Sequence, residues 1–114
     1  LTPEEWLARI VETAEPWSDC LLATVGTRHE GYRRVHGPAI GTRLVHRFLV
    51  EQALGRRLAR REVVDHTCHN ADLTCPGGFE CPHRRCVVLA HLTVTTIVQN
   101  VANARLVERG RYDH

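Results

Sequence analysis

The run WLARIVETA sets Trp6, Leu7, Ile10, Val11 and Ala14 at the spacing of a helical apolar stripe. Ahead of it, Thr2, Pro3 and Glu5 supply an N-cap, a first-turn proline and a capping-box acid, so the pattern predicts a helix from about Pro3 to Glu15. The periodicity then changes. CLLATVG, between Asp19 and Gly26, reads as a buried strand, and GYRRVHG, between glycines, reads as a second strand turning back on it in an antiparallel hairpin. From Thr42 onward, RLVHRFLVEQALG places Leu44, Val45, Phe48, Leu49 and Ala53 on one side and stops at Gly55, which predicts a second helix with a glycine C-cap. Short strands at Glu62 to His66 and His91 to Val94 bracket a stretch with neither period. A last helix, capped by Thr95 or Thr96, is expected through Ile97, Val101 and Leu106 to near Gly110. The expected fold class is α+β: an N-terminal helix over residues 1–19, then a small domain over residues 20–114.

A chain of 114 residues supports one hydrophobic core, adequate but not generous, so a staple would help it. The longest apolar runs, LVHRFLV and TVTTIV, fall far short of the roughly 18 residues that a membrane span needs, so a soluble protein with no membrane partner is expected. No signal peptide is visible, and a chain that begins at Leu1 with no Met reads as a candidate fragment of a longer product.

The formal net charge of +2 hides an asymmetry. Glu4, Glu5, Glu12, Glu15 and Asp19 outnumber Arg9 at the start, whereas the rest of the chain is basic and every basic residue is Arg. Pairs recur at Arg33/Arg34, Arg56/Arg57, Arg60/Arg61 and Arg84/Arg85. Fork-shaped guanidinium groups suit phosphate, so a polyanion partner is expected. Arg28, Arg33, Arg34, Arg43 and Arg47, in and after the hairpin, are the nominated DNA contacts, with Arg47 equally suited to a structural bond. The acidic first helix reads as a dimer arm or a cover on the core. His46, in an apolar helical stretch, reads as a packing histidine, and Trp6 and Trp17 as core.

The piece CPGGFECPHRRC is too poor in large apolar groups to hold itself together. Cys68, Cys86 and His91 occur in the order C, C, H, with Cys20 isolated upstream, and zinc favours four thiolate and imidazole ligands, commonly one of them from a distant strand. Cys75, Cys81 and His83 supply three more ligands, and His69 could complete a second set. An odd number of cysteines mixed with histidines favours metal in a reducing compartment over disulfides. For the inner group two alternatives stay open: a Cys75–Cys81 bridge, or Cys86 as its fourth ligand.

The pattern Asp65-His66-x-Cys68, then Cys86-x4-His91-Leu92, then Asn100, resembles the zinc-stapled branch of the HNH, or His-Me finger, endonucleases, which includes phage and bacterial HNH proteins and Ppo-type homing endonucleases. Cys20, the pair Gly31-Tyr32 and the pair His46-Arg47 follow the family's order, so the resemblance covers roughly residues 20 to 105. It implies a ββα-metal finger at about residues 62–106, with His66 as general base, Asp65 and Asn100 holding a divalent cation, normally Mg2+, and Cys20, Cys68, Cys86 and His91 holding a structural zinc. It further implies double-stranded DNA as partner and the cytoplasm of a bacterial or phage-infected cell as location. Two cuts in a duplex suit a homodimer.

The residue types fit that chemistry independently. Phosphodiester hydrolysis needs an activated water and a cation at the phosphoryl oxygens, and the oxygens of Asp65 and Asn100 suit hard Mg2+ while thiolates suit zinc. The expected function is a metal-dependent DNA endonuclease. The alternatives are a zinc-stapled DNA-binding module that does not cut and a zinc-stabilised interaction domain with no nucleic-acid role.

Overall fold

A computed structural model describes residues 1–96 of the chain. The α+β class holds, with antiparallel sheets, three α-helices among the described residues and cysteine–histidine clusters that could hold zinc. Helix α1 spans Pro3–Thr13, and its capping box forms as the sequence predicts: the Glu5 amide donates to Thr2 Oγ1 at 3.1 Å and the Thr2 amide to Glu5 Oε1 at 3.0 Å. Its Ile10 is wholly buried with Ala23, Val35, Ile40, Phe48, Leu49 and Val87, and Trp6, Leu7 and Ala14 pack on the same cluster. The acidic helix is thus a cover on the core.

The hairpin differs from expectation. Strand β1 (Glu15–Trp17) pairs with β2 (Cys20–Leu22), and GYRRVHG becomes β4 (Tyr32–Gly37), flanked by β3 (Thr27–His29) and β5 (Gly41–Leu44) in a separate three-stranded sheet. The reason lies in where backbone groups find partners. Arg33 donates to the carbonyls of Thr24, Val25 and Gly26 at 2.6, 2.9 and 2.7 Å, so this stretch is satisfied by a side chain rather than a strand. Beyond β2, the Ala23 amide donates to Arg85 O and the Val87 amide to Leu21 O, both at 2.8 Å, which brings Cys86 against Leu22. Trp17 lies on the exposed hairpin, 37% accessible, rather than in the core, and meets the His83 ring edge-on.

Helix α2 spans Val45–Leu54, starting later than expected because residues 41–44 pair with β4, and ends at a left-handed Gly55 as predicted. Strand β6 (Glu62–His66) pairs antiparallel with β7 (Leu92–Thr96), Asp65 opposite Thr93 and His66 opposite Leu92. Thr95 and Thr96 pair with Val63 and Glu62 as the last residues of β7. The helix expected through Ile97, Val101 and Leu106, and Asn100 with it, lie outside the described residues. A short helix α3 (Thr67–Ala71) follows β6, and two 3-10 turns, Pro82–Arg85 and Leu89–His91, carry the chain back to β7. Among the described residues no helix is long and apolar enough to cross a membrane.

Candidate active site and metal centres

The thiols and imidazoles of the cysteine region gather into two groups of four. Cys20, Cys68, Cys86 and His91 form one, and His69, Cys75, Cys81 and His83 the other, each with all its donor atoms within 4.8 Å of one another. This settles the ambiguity about Cys86, which belongs to the outer group, while His69 completes the inner one. All five thiols are free, and Cys75 and Cys81 stand 3.4 Å apart, too far for a disulfide bond.

Bond lengths of about 2.3 Å to sulfur and about 2.0 Å to nitrogen, arranged tetrahedrally, put S and N ligands about 3.6 Å apart. His91 Nδ1 lies 3.7 Å from Cys20 Sγ and 3.4 Å from Cys86 Sγ, and Cys81 Sγ lies 3.5 Å from His69 Nδ1 and 3.4 Å from His83 Nδ1. Both donor sets therefore fit a metal ion such as zinc. Their electrostatics agree with the geometry. Burial pushes the Cys20 thiol up to about 12 and the Cys81 thiol up to about 11, and the hydrogen bond to Cys86 pushes Cys68 up as well. Only Cys86, accepting from Cys68, is drawn down, to about 4. Crowded thiols cannot all ionise without a cation among them, and a divalent ion supplies the missing charge.

The two groups are interleaved along the chain. Cys68 and His69 are neighbours on α3 yet serve different groups, and the turn Pro82–Arg85 carries His83 of the inner group directly into Cys86 of the outer one. Helix α3 is tied on two sides, and it begins where His66 ends β6.

His66 lies in a cavity of about 250 Å³ with Asp65, Asn70, Tyr32 and Arg84, and the inner-group residues His69, Cys81 and His83 form part of its wall. Its ring is 8% exposed, and Nε2 has no hydrogen-bond partner among the described residues. Burial, reinforced by His69, His83 and Arg84, lowers its pKa to about 4. Asn70 donates to Asp65 Oδ2 at 3.1 Å and so fixes the carboxylate beside the imidazole. The Tyr32 ring stacks on His46 at 4.7 Å, and His46 lies 5.2 Å from His66. Arg84 sits over Tyr32 at 4.8 Å and donates to Glu30 O at 2.6 Å.

The structure thus brings Asp65 and His66 together in one cavity, as the sequence predicts, and leaves Asn100 outside the described residues. Asn70, Tyr32, Arg84 and His46 were not singled out as site residues. His46 is buried as expected, but against the site. Only the order Gly31-Tyr32 and His46-Arg47 in the chain hinted at them.

The nominated arginines divide. Arg33 is committed to three carbonyls, Arg43 pairs with the buried Glu51, and Arg47 donates to Glu62 O at 2.8 Å, tying α2 to β6. Arg28 makes an exposed pair with Glu80 at 3.5 Å, and Arg34 is exposed on β4. Comparison with protein-family models, curated proteins and solved structures finds no match for the chain.

Proposed function

We propose that this protein is a metal-dependent endonuclease of the HNH type, hydrolysing phosphodiester bonds in double-stranded DNA, with structural zinc in both cysteine–histidine groups. The observation that carries the reading is the cavity at the end of β6, where a buried imidazole, one nitrogen of which has no partner among the described residues, adjoins a carboxylate held in place by Asn70. The antiparallel pair β6–β7, with His66 at the end of its first strand, supplies the two strands that a ββα-metal finger requires.

In this reading the His66 imidazole takes the proton from the water that attacks phosphorus. Burial keeps the ring neutral at neutral pH, the form a base requires. Asn70 holds Asp65 in one orientation, and the Tyr32 and His46 rings lie 6.2 and 5.2 Å from the imidazole. Arg84, held by Tyr32 and the Glu30 carbonyl, places a fixed positive charge at the wall where a phosphate would enter. A divalent cation such as Mg2+, held by Asp65 and, on the resemblance, by Asn100, would supply charge at the phosphoryl oxygens.

Plasmid nicking in Mg2+ tests the reading. His66→Ala is expected to abolish cutting while zinc content and DNA binding stay at parental levels. Cutting by His66→Ala at the parental rate would refute the base assignment. DNA binding without any cutting by the parent would leave the silent zinc-stapled binding module in its place.

A further inference from the structure

Phe79 is 59% exposed, the most accessible of the large apolar side chains described. It is not on a loose loop. Its turn, built on left-handed Gly77 and Gly78, starts and ends at Cys75 and Cys81, both buried ligands of the inner group. The backbone beneath it rests on the hairpin turn at Gly31, where φ is +85° and any Cβ would collide with the Phe79 carbonyl. A side chain of this size left in water forgoes about 1.5–3 kcal/mol of burial, and here its backbone is clamped so that it stays out.

What surrounds the ring points to its partner. The Arg84 guanidinium lies 5.4 Å from the Phe79 ring and 4.8 Å from Tyr32, so aromatic, cation and aromatic form a ladder from solvent into the His66 cavity. On its other side, Phe79 borders a groove of about 180 Å³ lined by Arg28, Arg33, Arg85 and Glu80. The one carboxylate there, Glu80, has a side chain 90% exposed and is held only by the outward-reaching Arg28, the kind of surface pair that a phosphate readily replaces. An apolar plate between a cationic groove and a candidate phosphate-cutting cavity matches a nucleic-acid strand: phosphates on Arg28 and Arg85, a base face on the ring.

We propose that Phe79 is a stacking wedge that occupies an opened base step of the DNA next to the phosphate entering the His66 cavity. The inner metal group is then the clamp that holds the wedge at a fixed reach from the base. This rests on the endonuclease reading and adds to it a deformed substrate, a duplex opened at the cut rather than a smooth one. Base stacking on an aromatic ring makes Phe79→Ala lose about 5- to 150-fold in affinity for the cut site, while Phe79→Trp retains it.

The experiment maps the nick on a plasmid, then places 2-aminopurine at each position flanking it in a synthetic duplex, with Mg2+ withheld. The expected result is a rise in fluorescence at one step beside the scissile phosphate with the parent and with Phe79→Trp, absent with Phe79→Ala, whose zinc content is unchanged. Cutting and binding by the parent with no fluorescence change at any step, and Phe79→Ala cutting at the parental kcat/KM, would overturn the wedge and leave the endonuclease reading standing. No cutting and no binding by the parent would overturn both. A concentration-dependent dimer in sedimentation that Phe79→Ala abolishes would assign this face to a second copy of the chain instead.

Discussion

With zinc in both groups, the two sites contribute unequally to stability, and serine substitutions measure the difference. The outer site joins Cys20 on β2 to His91 before β7, across 71 residues, whereas His69 and Cys81 of the inner site are 12 residues apart. Loop-closure entropy grows as 1.5RT ln n, so the wider closure removes about 1.6 kcal/mol more freedom from the unfolded chain. Two of its thiols are also deeper: Cys86 is 0% and Cys20 is 3% exposed, inside a cluster with Leu22 against which the half-buried Cys68 packs, so a lost ligand there leaves an unpaired polar group among apolar ones. At about 4–8 °C per kcal/mol for a domain of this class, Cys68→Ser or Cys86→Ser should melt at least about 6–13 °C below Cys75→Ser or Cys81→Ser. Thermal unfolding by circular dichroism gives the melting temperatures, and metal release into a chromogenic chelator gives the zinc count: two per chain in the parent, one in each variant. Equal losses, or a larger loss from the inner pair, would refute the assignment of Cys86 to the outer site. A parent with no bound metal and oxidised thiols would refute the metal reading of both.

Two further outcomes are expected. Arg33→Ala, which strips three backbone carbonyls of their donor, should lower the melting temperature, whereas Arg34→Ala should leave it unchanged and reduce the salt slope of DNA binding by about one; the reverse assignment in a fluorescence-anisotropy salt series would show that Arg33 is the phosphate contact. Burial holds the His46 pKa near 3, below its unfolded value of about 6.5, so folding is unaffected by this ring's titration above pH 6.5 and is penalised as pH falls toward 3, at up to about 1.4 kcal/mol per pH unit; in urea unfolding between pH 7.5 and 5.5 the parent should lose stability relative to His46→Leu on acidification, and a pH-independent difference between them would contradict the buried neutral ring.

What the sequence disclosed was chemistry that acts locally or by composition. The Thr2–Glu5 capping box, the Gly55 cap and strand β6 follow from residues within a few positions of one another. The two ligand groups were legible as a set of donors because thiol and imidazole at these spacings have few other uses in a chain with free cysteines. The division of CLLATVG was not legible, because its backbone is satisfied by the Arg33 side chain and by residues 85–87, neither of which leaves a mark on its hydrophobic pattern. Nor was β5, whose last three residues, Thr42 to Leu44, read as the start of the helix that follows them.

The cavity was half legible for a related reason. Asp65 and His66 are adjacent in sequence, but Tyr32, His46, Asn70 and Arg84 reach them only through folding that the two ligand groups direct. Cys68 and His69 pin α3 from both sides, which places Asn70 against Asp65; Cys81, His83 and Cys86 pin the turn that places Arg84 over Tyr32. Adjacent residues belong to different donor groups, so metal loading of one group would preorganise the other. With metal in both groups, the Gly- and Arg-rich stretch with no core of its own would be held in place by ligation, and His69, Cys81 and His83 would carry that ligation into the cavity wall.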